Sequence, residues 1–285
     1  ANVRAWKAFK TRYNTYFNGH EAYLEGVQTQ EKGVRDNYLK MLPLFISQTE
    51  NGQQLGAGNF DQAVTKCEKA IQLYSIHTKP IFKRGKKLTP KEKALKLQTE
   101  FNPFIHNAWM LMGLAQLQKG DFTDAAAPFA STSRLFKTNP QILNTARALQ
   151  AICYIEMKWY YDAEDLLDKI RRDGIPKESQ RYYNMALADL NLHRQNWEEA
   201  LPYVEKEVKH MRHGVEKARG KFLLSQMYKM LDMKKKAYSA LSQCMRQNPP
   251  YEMKFNAQVA QTEVFSSGGS KGKLSKLKSM ARKAN

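Results

Sequence analysis

The chain has 285 residues, 42% hydrophobic and 26% charged, with 46 Lys and Arg against 27 Asp and Glu and a formal net charge of +19. That is ample apolar material for a core, and a charge that draws the chain toward nucleic acid, anionic lipid or an acidic protein face. The longest nearly apolar stretch, Ala108 to Ala115, falls far short of the roughly 18 residues a membrane-spanning helix needs, and Cys67, Cys153 and Cys244 are too widely spaced for a zinc site, a redox pair or a disulfide framework.

The N-terminus carries no secretory signal pattern. Because the chain starts at Ala1 rather than Met, a processed form that has lost a targeting segment is compatible with it. Residues 4–31 read as one long helix or a helical hairpin, rich in aromatics (Trp6, Phe9, Tyr13, Tyr16, Phe17, Tyr23), with Asn18-Gly19 as the natural break. A second helix is expected over 34–47, interrupted at Pro43, and a loop over 48–58. Residues 1–57 thus form a helical cap and loop. A helix from Phe60 to about Ser75 follows, with Phe60, Ala63, Cys67 and Ala70 on one face. Next comes the most basic segment, with Lys79, Lys83, Arg84, Lys86, Lys87, Lys91, Lys93 and Lys96 against the single acid Glu92. From Thr89-Pro90 it becomes a short helix. Residues 58–103 are therefore a first, displaced repeat helix plus a basic insertion.

Over 104–250 the sequence repeats itself. Phe122, Ala125, Phe129, Thr132 is followed by Tyr160, Ala163, Leu167, Ile170, by Trp197, Ala200, Val204, Val208, and by Lys234, Ala237, Leu241, Cys244. Successive starts lie 38, 37 and 37 residues apart (122 to 160, 160 to 197, 197 to 234). The Phe60 copy lies 62 residues before Phe122, displaced by the basic insertion. Nine residues before each turn residue stands a small one: Gly113, Ala151, Ala188 and Ser225. The pattern is that of two helices meeting at a tight turn, with small residues where they cross. Gly120-Asp121, Lys158-Trp159, Gln195-Asn196 and Asp232-Met233 mark the turns, while Asn139-Pro140, Gly174-Ile175-Pro176 and Pro249-Pro250 separate the repeats. The fold expected is all-α, a right-handed tetratricopeptide-like solenoid of helical hairpins. The three cysteines fall on apolar-periodic positions and read as buried small hydrophobes. Residues 251–285 read as a further, incomplete repeat: a helix from Tyr251 to about Phe265, a flexible Ser-Ser-Gly-Gly-Ser-Lys-Gly stretch over 266–272, and a basic helix over 273–284. Since a solenoid ends in a polar cap, the chain is expected to continue past Asn285.

No catalytic, cofactor or metal constellation emerges. Gly268 to Lys273 lacks the first glycine of a phosphate-binding loop, and no His-Glu-x-x-His or Gly-x-Ser-x-Gly is present. His210 and His213 read as an exposed pair rather than metal ligands, and Asp162, Glu164 and Asp165 as a solvated face. In a repeat solenoid the first helices line the concave face, which makes Asn107, Met110, Leu114, Thr145, Ala148, Ile152, Tyr182, Met185, Asp189, Phe222 and Gln226 the candidates for a largely apolar partner groove. Lysines that clamp a peptide carboxylate would sit at Met110, Ala148, Met185 and Phe222, which argues against a chaperone-tail receptor. Lys79, Lys83, Arg84, Lys86 and Lys87 form a basic arm suited to an acidic partner; aromatics do not interleave with it as single-stranded nucleic acid binding requires.

Several stretches resemble a known family. Arg12-Tyr13-Asn14-Thr15-Tyr16-Phe17-Asn18-Gly19 with Glu21-Ala22-Tyr23, then the run from Lys66 to Ile76, then Phe101 to Trp109 leading into Lys119-Gly120-Asp121-Phe122, and finally Tyr251 to Ala257, are similar to SprE/PorW-like tetratricopeptide lipoproteins of the Bacteroidetes type IX secretion and gliding-motility machinery. The resemblance implies a non-catalytic scaffold on the periplasmic side of the outer membrane, joining the periplasmic ring to the outer-membrane translocon. It also implies a lipidated Cys upstream of Ala1, and no cofactor. The alternatives are a cytosolic adaptor that binds nucleic acid or ribonucleoprotein through its basic segments, and a repeat domain fused to a catalytic part outside this chain.

Overall fold

The computed structural model describes residues 2–82, 85 and 87–264; Lys83, Arg84 and Lys86 of the basic arm, the 266–272 stretch and the basic helix expected over 273–284 lie outside them. The described residues form helices and turns with no strand. They fall into two compact units: residues 2–35 with 45–193, and residues 36–44 with 194–264. The step at 193/194 falls inside the 104–250 repeat region.

The first unit opens with α1 (Asn2–Lys10), a π-helical turn (Thr11–Tyr16) and α2 (Phe17–Gly33). Lys10 and Phe17 both keep right-handed helical angles, so the chain runs through without a break at Asn18-Gly19. Gly19 serves packing instead, since a Cβ there would lie 3.2 Å from Lys66 Cβ. No helix forms over 34–45, and from there through the expected 48–58 loop the chain is largely helical: a 3-10 turn (Ile46–Gln48), α3 (Glu50–Gln54) and the start of α4 (Ala57–Tyr74). Thr49 caps α3 by accepting the Gly52 N–H at 3.0 Å, an N-cap that the Gln-Thr-Glu-Asn composition had disguised as a loop. Buried Gln30 on α2 donates to Gly52 O at 2.9 Å and to Gln118 O at 2.8 Å, satisfying carbonyls at the ends of two other helices.

The basic insertion leaves and rejoins the helical stack at one pinch. Phe101 N–H donates to Ile76 O at 2.8 Å, and buried Glu100 accepts from the N–H groups of Ile76 and Asn102 at 2.9 and 2.7 Å. Asn102 Nδ2 adds a bond to Tyr74 O at 2.9 Å. Within the insertion, α5 (Pro90–Leu97) begins at a Thr89–Glu92 capping box. Because the insertion is looped out, α4 packs directly on α6 (Ile105–Lys119), which packs on α7 (Phe122–Leu135). Then follow α8 (Pro140–Glu156), α9 (Tyr160–Asp173) and α10 (Gln180–His193), with α8 touching α7, α9 and α10. The second unit holds α11 (Trp197–His210), α12 (Val215–Met230), α13 (Lys234–Met245) and α14 (Tyr251–Val264), each packed on the next.

The repeated residues map onto one structural device. Gly120, Lys158, Gln195 and Asp232, two positions before each turn residue, all adopt left-handed backbone (φ 81°, 61°, 60° and 53°). After α6, α8 and α12 the chain closes with the same two bonds of a Schellman end, as in Asp121 N–H to Gln116 O (3.0 Å) with Gly120 N–H to Leu117 O (3.1 Å). The next helix then starts with the N–H of Ala125, Ala163, Ala200 or Ala237 donating four residues back, at 2.9 to 3.1 Å. All four alanines are fully buried, as are Phe60, Ala63, Cys67 and Ala70 of the displaced copy. Gly113 faces the Phe129 ring, one turn beyond the alanine expected opposite it.

Residues 36–44 lie along α12, with a turn at 37–40 closed by the Lys40 N–H on Asn37 O at 3.1 Å. Buried Arg219 donates from Nε and Nη2 to the two oxygens of buried Asp36, at 2.7 and 2.8 Å. Tyr38 meets Phe222 edge-on at 5.1 Å. The Gln226 side chain accepts the Leu42 N–H at 2.9 Å and donates to Lys40 O at 2.7 Å, as a neighbouring strand would. Leu42 and Leu44 are buried on either side of Pro43, a period of two that a helix does not satisfy.

Two stability predictions follow from these contacts. A Cβ at Gly26 or Gly113 would sit 2.6 Å from the buried ring of Phe60 or Phe129. Gly26→Ala and Gly113→Ala should each cost about 1–3 kcal/mol in urea denaturation, whereas Gly58→Ala, with nothing within 4 Å, should be neutral or gain up to about 1 kcal/mol. Asp36→Ala leaves Arg219 buried without its carboxylate and should destabilise the second unit by about 3–5 kcal/mol; a loss below about 1 kcal/mol would show that the pair does not hold the 36–44 segment.

Candidate functional site

A cleft of about 430 Å³ opens in the first unit. Its walls come from Tyr16, His20 and Tyr23 on one side, from Asn107, Met110, Leu111 and Leu114 of α6, and from Ile142, Thr145 and Leu149 of α8, with Tyr182 of α10 and Glu178 at the far end. Positions 107, 110 and 114 fall on one helical stripe, so the repeat register itself aims them into one space. Tyr16 is fixed edge-on against Phe104 at 5.1 Å and stacks on His20 at 5.8 Å. Thr145 Oγ1 is 3.0 Å from Ser179 Oγ, which donates to Gln141 O. Burial drives the His106 imidazole down to about 4, so it lines the cleft as a neutral ring at pH 7. No Lys or Arg is among the lining residues, although the chain is strongly basic. The surface presented is aromatic, thioether and amide, suited to apolar side chains and an extended backbone rather than to an anion.

Five of the eleven groove residues expected from sequence meet in this cleft: Asn107, Met110, Leu114, Thr145 and Tyr182. Ala148 and Ile152 are buried in the core that also includes Ala125, Phe129, Ala163 and Leu167, and Met185 packs against that core. Phe222 and Gln226 belong to the second unit, where the chain's own residues 38–42 already contact them. Lys79 and Lys87 of the basic arm are exposed. The N-terminal aromatics divide: Tyr16 and Tyr23 pack inward, while Trp6, Phe9, Tyr13 and Phe17 are each more than half exposed, the first three as a ladder with Phe9 and Tyr13 rings 4.8 Å apart and Lys10 over Trp6 at 5.0 Å. Cys67, Cys153 and Cys244 are buried, and burial lifts the thiols of Cys67 and Cys244 to about 12 and that of Cys153 further, which makes them poor nucleophiles.

Asp189 occupies a polar cluster that the sequence reading missed. Glu156, Asp189 and His193 bring their ligating atoms within 4.8 Å of one another. His193 Nε2 lies 3.5 Å from Glu156 Oε1 and 3.7 Å from Asp189 Oδ1. Gln48 turns its amide nitrogen into this group, bonding Glu156 Oε1 and, at 2.7 Å, Asp189 Oδ1. Asp189 is fully buried, and burial followed by the charge of Glu156 holds its carboxyl well above the usual carboxylate range. The signal was present: His193 stands 37 residues after Glu156, the repeat spacing itself, so the two are equivalent positions of neighbouring first helices. By contrast, His213 Nδ1 contacts Gln247 at 2.9 Å and both it and His210 are exposed.

No protein-family model and no curated protein sequence matches this chain.

The raised carboxyl of Asp189 has a consequence for stability. A folded-state value above the unfolded one stabilises at pH below the unfolded value, and that stability is lost as pH rises through the folded one. Asp189→Asn removes the cost of ionising a buried carboxyl, so with EDTA present it should melt at higher temperature than the parent at pH 7 and lose that advantage at pH 4. Parallel melting profiles at the two pH values would contradict this assignment.

Proposed function

We propose that this chain is a non-catalytic scaffold of tetratricopeptide-like hairpins, arranged as a right-handed solenoid, that binds other proteins and links components of a type IX secretion and gliding machine on the periplasmic face of the outer membrane. The observation that carries the binding part is the cleft: residues from consecutive first helices and from α2 converge on a space without cations, floored by Met110, Leu111 and Leu114 and flanked by Tyr16, Tyr23 and Tyr182. Such a surface takes an extended or helical peptide by its apolar side chains, while Asn107 and Thr145 offer bonds to its backbone. The recurring left-handed turn and the buried alanines support the repeat reading. The placement in a secretion machine rests on the resemblance of the Arg12–Tyr23 motif and the three later stretches. The partners proposed are the periplasmic ring and the outer-membrane translocon.

Position Tyr182 tests both parts. A photo-crosslinking residue at 182 should capture envelope proteins in cells, while one at exposed Lys169 on α9 should capture few. Tyr182 and Met185 both pack on the core, so Tyr182→Ala and Met185→Ala should each lower the melting temperature, while only Tyr182→Ala, which lines the cleft, should weaken that capture. Recovery of the native protein in the cytosol, or capture of RNA with a steep salt dependence, would instead support the nucleic-acid adaptor.

A further inference from the structure

We propose that Glu156, Asp189 and His193 form a divalent-cation site of the borderline type that Zn²⁺ fills. The three ligands come from two helices, Glu156 from the last residue of α8 and the other two from successive turns of α10, so helix packing rather than a loop sets their positions. A tetrahedral ion with bonds near 2.0–2.1 Å holds its ligands about 3.3–3.4 Å apart. The distances from His193 Nε2 to the two carboxylate oxygens, 3.5 and 3.7 Å, need to close by only a few tenths of an ångström. A mixed imidazole and carboxylate set suits zinc and its neighbours better than calcium or magnesium, which take oxygen ligands.

Two further observations point to a cation. Asp189 is fully buried, yet its Oδ2 has no hydrogen-bond partner among the described residues. A buried oxygen left unpaired costs about 1–3 kcal/mol, which an ion taken by both oxygens of the Asp189 carboxylate would recover. The second is the place that Gln48 takes. Phe45 N–H donates to Gln48 Oε1 at 2.9 Å, which fixes the amide so that its nitrogen faces the cluster. That nitrogen touches Glu156 Oε1, Asp189 Oδ1 and, at 3.4 Å, His193 Nε2. An amide NH₂ group thus lies against two carboxylate oxygens and an imidazole nitrogen. A divalent ion balances both carboxylates with His193 neutral, and its entry turns the Gln48 side chain away. The partly exposed face of His193, 26% accessible, is the way in.

The test is calorimetric titration of Zn²⁺ alone into the EDTA-stripped full-length chain, with melting temperature read in parallel. The expected result is one saturable site per chain and a rise in melting temperature. Asp189→Asn and His193→Ala, both checked for helical content, should weaken binding more than the roughly tenfold that losing even an outer-shell partner costs, and Gln48→Ala should bind at least as tightly as the parent. Absence of a saturable site overturns the proposal. So does binding that survives both Asp189→Asn and His193→Ala, which would place the ion on surface histidines such as His210 and His213. Neither result bears on protein binding in the cleft.

Discussion

Everything in this molecule hangs on a single constraint: a helix must stop, turn and restart within about three residues while its successor crosses close by. The left-handed residues Gly120, Lys158, Gln195 and Asp232 make the stop, and buried Ala125, Ala163 and Ala237 allow the close crossing of α7 on α6, α9 on α8 and α13 on α12. Three of the four left-handed positions are not glycine, and each forgoes about 1 kcal/mol by using a residue with a Cβ there. The closing hydrogen bonds and the buried alanine outweigh that cost. Because the device recurs every 37 or 38 residues, side chains at equivalent positions of neighbouring first helices come together without any long-range instruction in the sequence.

That repetition generates both candidate surfaces. The cleft is made by residues of α6, α8 and α10 at related positions, completed by Tyr16 and Tyr23. The polar cluster arises the same way, since Glu156 and His193 are one repeat apart. One surface is apolar and open, the other charged and closed over by Gln48. A protein that binds partners through the first and is pinned by a cation at the second would couple metal availability to the rigidity of the helices that carry the cleft, because α8 and α10 contribute to both.

How much of this could be read beforehand depended on the length of the pattern. The repeat helices and their buried faces were legible residue by residue, because four copies reinforce one another. Five residues that line the cleft were legible as sharing one space for the same reason. The 36–44 segment was not: its alternation covers too few residues to outweigh the helical propensity of its neighbours, and what settles it is Arg219 and Gln226, more than 180 positions away. Asn18-Gly19 misled because glycine is read as a breaker when nothing in the local sequence reveals that Lys66 crosses above it. Ala148, Ile152 and Asp189 show the same limit in the groove, since spacing assigns a face while neighbouring helices decide its depth.

The central claim is that the cleft, rather than the basic arm or the exposed aromatic ladder, is where partner proteins are held. Hydroxyl-radical footprinting of the full chain with and without its captured partner measures this at the side chains themselves. The account predicts that Met110, Tyr16 and Tyr182 lose reactivity together in the complex while Trp6 and Phe9 keep theirs. Unchanged oxidation at Met110 and Tyr182, with protection confined to Trp6, Phe9 and Tyr13, would contradict it.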